Sequence, residues 1–173
     1  EGGAAGGGQI LGDARPRANG LVVVALVAQP QIRVVGGGDD RHRSRLGVGD
    51  DVSVFDGRGN EFLARVHSAV RRDVQVQLTR RLTPAREWSV RLTLVQAVLK
   101  GDKMDDVIRD AVMLGAEAIQ PVVTKRTETT VAAIMRGARL ERWRRVALAS
   151  TKQSRRAVVP EIRTPLTFDN AWL

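Results

Sequence analysis

The residues best equipped for chemistry in this chain are cations set out at helical spacing near its C-terminal end. The run from Ala138 to Gln153 predicts a helix. At about 100° per residue, Arg139, Arg142, Arg145, Lys152, Gln153 and Arg156 share one arc, while Leu140, Trp143, Ala147, Ser150 and Ser154 share another. A row of guanidinium and ammonium groups can bind a polyanion through its phosphates; the same row on a solvated face would only keep the helix soluble. Between Lys125 and Arg163 there are eleven Lys or Arg and three Glu, an excess of eight that accounts for nearly all of the net charge of +9. Other chemistries are poorly supplied. Cysteine is absent, which removes thiolate nucleophiles, disulfides and thiolate zinc sites together. His42 and His67 are the only imidazoles, so no metal site is expected.

The elements that must position these cations follow from the apolar pattern. Val90–Leu99 reads as an almost continuous apolar strand, as in a parallel sheet covered on both faces. Gly101-Asp102 turns the chain. Asp102 then suits an N-cap, with Asp105 at capping-box distance. Met104, Val107, Ile108, Ala111 and Leu114 recur at helical spacing, and Gly115 fits the position just past the helix end. Ala118–Thr124 is the next strand. A β-α-β unit of this kind crosses right-handed into a parallel sheet, which puts Lys100, Lys103 and the loop holding Arg126 at one edge. Upstream the period is two. Val52 and Val54, then Glu61–Ser68 around an Asp56–Asn60 turn, then Val74–Leu78 suggest a small antiparallel barrel. Leu21–Ala28 is too short to span a bilayer and reads as a buried strand. The expected organisation is a Gly-rich disordered segment over 1–20, a β domain over 21–85 with Leu82–Arg86 as linker, and an α/β domain over 86–173. No membrane contact is expected, and a cytoplasmic location is.

Several of these motifs, taken in order, resemble one family. Lys100-Gly101-Asp102-Lys103-Met104-Asp105 resembles a strand-end signature that opens the first helix of its catalytic domain. Ala111–Gly115, Ile119–Thr127 with Arg126, Arg142-Trp143, Gln153-Ser154-x-Arg156 and Val159–Ile162 follow the same pattern, and Pro165-Leu166 through Ala171-Trp172 continue it. In front, Gly49-Asp50 and Val54-Phe55-Asp56-Gly57 resemble an RNA-binding barrel. The family is that of the ribosomal RNA small subunit methyltransferase E enzymes, of the SPOUT type. The resemblance covers about Ile32 to Leu173.

The resemblance implies a PUA-like β-barrel followed by the first part of a SPOUT (α/β knot) methyltransferase domain. It implies S-adenosyl-L-methionine as cofactor, methylation of N3 of a uridine in 16S ribosomal RNA, and a homodimer in the intact family. The partner would be 16S ribosomal RNA or the small ribosomal subunit, within rRNA processing and ribosome biogenesis. By the same resemblance Lys100, Lys103, Arg126, Arg142, Arg145, Gln153 and Arg156 would bind RNA. Gln153, which both donates and accepts, could read a base edge. Two structural alternatives stay open: Gln153 capping its own helix, and Arg126 pairing with Glu128. Catalytic residues are not assigned. The sequence reaches Trp172-Leu173 before the family's Gly-Pro-Glu-Gly-Gly loop and Leu-Gly-x-Arg-[Ile/Val]-Leu-Arg segment, which build its knot and most of its cofactor pocket. These residues alone are therefore expected not to hold the cofactor, and the activity to be complete only with that segment. The alternative is a non-catalytic RNA-binding remnant. Met113, Ala149 and Lys152 depart from the family pattern, as does the Arg41–Leu46 run.

Overall fold

The computed structural model describes the backbone of residues 22–24 and 32–34, together with residues 47–70 and 73–172. The Gly-rich segment 1–20 and the run 41–46 lie outside the described residues. Two sheets are present. The first contains β1 (Val22–Val24), β2 (Ile32–Val34), β3 (Asp51–Phe55), β4 (Glu61–Val70) and β5 (Asp73–Leu82) in the order β1-β3-β4-β5-β2. All its pairings are antiparallel except β1 with β3. Period-two alternation sets the register. Val52 lies opposite Ala64 and Val66 opposite Val76, so one face buries Val52, Val54, Ala64, Val66 and Val76. Register shifts at Leu63/Ala64 and Val66/Ser68 bend β4 across β5, as bulges do. Pairing among the described residues makes an open five-stranded sheet; the closure that a barrel requires is not among those pairings.

The second sheet is built around β7 (Ala118–Val123), which is buried from Ala118 to Val122. β6 (Thr93–Ala97) runs parallel along one edge of it, and β8 (Glu161–Ile162) and β9 (Leu166–Thr167) run parallel along the other. β8 pairs with Ala118 and Ile119, and β9 with Val122 and Val123. Gln120 and Pro121 therefore fall at the interruption between two successive partners. Proline has no N–H to donate, so an interruption is where a central strand tolerates it. Gln120 fills the gap by donating from Nε2 to the Thr164 carbonyl at 2.9 Å. Between β6 and β7 lies α1 (Lys103–Met113); α2 (Val131–Arg136) and α3 (Arg139–Gln153) follow β7, and a 3-10 turn covers Asp169–Trp172. The core joins Met104, Ile108 and Val112 of α1 to Ile119, Ile134, Leu140, Trp143 and Ala147. Trp143 faces inward, as its place on the arc implies. No helix among the described residues is long and apolar enough to cross a membrane.

Three local expectations need correction. β6 is shorter than Val90–Leu99, because β7 begins at Ala118 opposite Thr93 and leaves residues 90–92 without a partner strand. Val95 is 37% exposed, so one face of β6 is not covered among the described residues. The helix α2 is absent from the sequence expectation, although its signals are ordinary. Thr130 accepts a hydrogen bond from Ala133 N–H at 3.2 Å as an N-cap, and Gly137 closes the helix.

Both long helices end in the same device, with different residues at its critical position. At the end of α1, Gly115 N–H donates to Val112 and Ala116 N–H to Ala111, at 3.1 and 2.9 Å, with Gly115 at φ +91°. At the end of α3, Arg155 N–H donates to Lys152 and Arg156 N–H to Thr151, both at 3.2 Å, with Arg155 at φ +57°. Glycine suits the left-handed region and arginine does not. Gly115 is doubly required, since a Cβ there would lie 2.5 Å from Trp88 Cδ1. Replacing Arg155 with Gly should therefore raise stability by roughly 0.5–1 kcal/mol in urea denaturation, part of the relieved strain being offset by unfolded-state entropy. Gly115→Ala should lower it by more than that.

Candidate nucleic-acid interface

β6 and β7 run in parallel, so the loops after them leave from one edge of the sheet. This C-terminal edge is where open α/β sheets bind ligands. The two loops are joined there by Lys100 Nζ and Glu128 Oε2 at 3.1 Å. The second loop is wound tight by its threonines. Thr127 N–H donates to the Thr124 carbonyl at 3.1 Å, Thr124 N–H to Thr127 Oγ1 at 3.0 Å, and Arg126 N–H to Thr124 Oγ1 at 3.3 Å. Lys125 and Arg126 project from this turn into solvent.

The start of α1 is fastened to α3 at the same edge. Arg142 donates from Nη2 to Asp102 Oδ1 and from Nε to Asp105 Oδ2, both at 2.7 Å. These hydrogen bonds, with Asp102 first, raise the already high pKa of the guanidinium. They also displace the expected capping box: Asp102 stands at the N-cap position but makes no side-chain cap bond. A charged donor is a stronger partner for its carboxylate than a backbone N–H. Asp105 is 7% exposed, and Arg142 is what satisfies its charge there. Arg139 and Arg145 lie one turn to either side of Arg142 on the same helix.

The expected RNA-binding set thus divides. Lys103, Arg126 and Arg145 are exposed at this edge, with no acidic partner among the described residues. Lys100 is exposed but held by Glu128. Lys125 and Arg139 belong beside them; Lys125 adjoins a residue already singled out, and Arg139 lies on the same helical arc. Arg142 is half engaged by two aspartates. Gln153 is exposed at the far end of α3, about 12 Å along the axis from Arg145. It does not cap its helix; Ser154 does, donating from Oγ to the Ser150 carbonyl at 2.9 Å. Arg126 does not pair with Glu128, which is taken by Lys100. Lys152 is half-buried, and that burial pulls its ammonium below the usual lysine range.

Arg156 requires the largest correction. It is 9% exposed and turned into the protein. Its Nη1 donates to the carbonyls of Val112 and Ala116, at 2.8 and 3.1 Å, and its Nη2 meets Glu87 Oε2 at 2.7 Å. It closes the carbonyl end of α1 and fastens the segment that leads into β6. An RNA phosphate would have to displace all of these partners.

A profile of the RNA methyltransferase domain matches residues 86–173. The chain belongs to the RNA methyltransferase domain family. Within it, the chain is 33% identical over 124 residues to a ribosomal RNA small subunit methyltransferase E from Synechocystis, covering 72% of this chain and 39% of that protein. A crystal structure of a ribosomal RNA small subunit methyltransferase E from Neisseria gonorrhoeae, bound to S-adenosyl methionine, is 27% identical with a TM-score of 0.67 and covers 73% of this chain and 52% of that one. A Legionella pneumophila protein solved with bound SAM shares the fold at 22% identity, with a TM-score of 0.77 over 86% of this chain and 64% of that one. The chain spans 39–49% of the length of three curated relatives that it matches. In this RNA methyltransferase domain, the edge with its free cations lies inside the matched residues, and Arg156 is part of the domain's frame.

The internal role of Arg156 has a measurable signature. Arg156→Met should cost about 3 kcal/mol, since it strips two helix-end carbonyls of a donor and leaves Glu87 unpaired. Arg156→Lys should recover little of this, because one ammonium cannot reproduce the planar fork. Chemical denaturation with matched far-UV spectra checks both. A loss below about 0.5 kcal/mol, the size of an ordinary surface substitution, would place Arg156 outside the frame.

Proposed function

We propose that the chain serves S-adenosylmethionine-dependent methylation of N3 of a uridine in 16S ribosomal RNA. The observation that carries this reading is the free cationic edge of Lys103, Lys125, Arg126, Arg139 and Arg145 within the family-matched segment. Such an edge suits RNA, whose phosphates it can meet while releasing counterions. It also suits the chemistry. Uridine N3 carries a proton at neutral pH and must lose it before its lone pair can act as a nucleophile. Cations beside the base favour the resulting anion, and a fixed edge does so without reorganising. Lys103 and Arg126 are placed for that task, at the opening of α1 and on the turn after β7; Arg145 serves the phosphates. Lys100 joins them when RNA competes for Glu128.

In this reading the cofactor is S-adenosyl-L-methionine, which supplies an electrophilic methyl group. The residues at the edge do not form its site. Its sulfonium is a cation, and the edge presents cations, while the nearby acids Asp102, Asp105 and Glu128 are in ion pairs. No described residue is assigned to hold it. The proposal extends to the division of the chain, with 21–85 a PUA-like RNA-binding unit and 86–173 the methyltransferase unit. It includes a cytoplasmic, ribosome-linked role and the family's homodimer. A second reading is RNA binding without catalysis. The edge favours it in one respect, because its cations are in place within these residues and need no cofactor.

Two measurements test this. The charge test uses Lys103, Arg126 and Arg145, because Arg142 and Arg156 hold the fold. Replacing the three with Gln should weaken binding to a small-subunit RNA transcript and lower the salt slope by about 2 to 2.7 units, at 0.7–0.9 per contact. Unchanged affinity and slope would make the edge a solvated face. Calorimetry with S-adenosylmethionine on residues 1–173 should show no micromolar binding; such binding would reject the separation of the RNA-binding edge from the cofactor site.

A further inference from the structure

The turn between β3 and β4 is docked onto the segment that follows α3. Gly59 N–H donates to the Ala157 carbonyl at 3.0 Å, and Val159 N–H donates to the Gly57 carbonyl at 2.9 Å. Between them Arg58 and Val158 form an antiparallel bridge. Beneath it, Phe55 and Ala157 are buried together, with Leu148 of α3 and Val159 packed against them. The turn is stiffened from within by Asp56, whose Oδ1 accepts from Arg58 N–H at 2.8 Å and whose Oδ2 accepts from Asn60 Nδ2 at 2.6 Å. Gly57 is needed at the contact itself. It sits at φ +76°, and a Cβ there would lie 3.1 Å from Val159 Cγ2. The five-stranded sheet and the α/β unit thus meet through a two-stranded hydrogen-bonded seam over an apolar plug. Arg58 and Arg155 are exposed on either side of it, without acidic partners among the described residues.

We propose that this seam is a positioning element for RNA: it holds the two units as one body, so that a single RNA is bound across both. Gly57, Arg58 and Val159 are its positioning residues. The inference rests on the proposed RNA binding. Two contact surfaces held at a fixed spacing engage one ligand at high effective concentration. With only the linker to join them, that advantage falls. An ordinary packing contact would stabilise the protein without setting RNA affinity.

The test opens the seam and closes it again in the full chain. Val159→Pro removes the N–H that reaches Gly57. In the same background, Arg58→Cys with Val158→Cys places one cysteine on each side of the bridge, in a chain that has no other cysteine. Residues paired this way have Cα atoms about 4.5–5.5 Å apart, within the range a disulfide spans. Small-angle scattering reports whether the units stay together, and binding to a small-subunit RNA transcript reports the consequence. Val159→Pro should enlarge the radius of gyration and weaken RNA binding at least tenfold. Oxidising the triple variant should restore both, and reducing it should lose both again. Comparing the two redox states of one variant removes the lost Arg58 charge from the comparison. Unchanged scattering on Val159→Pro would mean the seam does not hold the units. RNA binding that stays unchanged when the seam opens, or stays weak when oxidation has closed it, would overturn the positioning role. If the unmodified chain does not bind RNA, the proposed function fails and the positioning role with it; scattering still reports the seam on its own.

Discussion

A buried guanidinium fastens the frame together. Arg156 emerges from the end of α3, reaches the last carbonyls of α1, and clasps Glu87 ahead of β6. Each of those partners would be costly to leave alone. Helix-end carbonyls lack intrahelical donors and carry the negative end of the helix dipole. A partly buried carboxylate needs a fixed counter-charge. One planar group with donors in a fixed fork satisfies all of them at once, which neither lysine nor glutamine could do. Its neighbours extend the effect, since Arg155 adopts the left-handed turn and Ala157 to Val159 meet the other sheet. Five consecutive residues thereby connect both helices, the linker and the β unit.

The same economy of charge explains the edge. Acids there do not oppose the cations at random. Asp102 and Asp105 occupy Arg142, and Glu128 occupies Lys100, at positions where the ion pair joins two segments. What remains unpaired is grouped around the openings of α1 and α3 and on the threonine turn. Fixed pairs hold the backbone, and free cations are left facing solvent where the parallel strands end. Positive charge held on tight turns keeps its geometry whether or not a ligand is present.

Much of this is readable from the residues in order, and the exceptions share a cause. The β-α-β unit, the glycine at the end of α1 and the inward Trp143 follow from periodicity and turn chemistry, which are local. The helical arc places Arg142, Arg145 and Arg156 together as equals because a helical projection knows only angle. Their actual roles depend on acids far away in the chain: Asp102 and Asp105 lie 40 and 37 residues before Arg142, and Glu87 lies 69 before Arg156. The projection also runs past the end of α3, where Arg155 reverses the backbone and turns Arg156 inward. The helix α2 escapes for a different reason. A six-residue helix has too few turns to show periodicity, and only its Thr130 and Gly137 boundaries announce it.

The two-part edge of β7 has a consequence for how the chain reaches this structure. β8 and β9 are two residues long each, too short to persist unless β7 already offers its backbone. β7 in turn is laid beside β6 through α1, a connection made within about thirty residues. Residues 161–172 therefore join last, onto a template completed before them, and they leave first. They form a cooperative unit of low local stability attached to a firmer one. Amide hydrogens along Glu161 to Thr167 exchange through that partial opening, while those of β7 facing β6 wait for the whole domain to unfold.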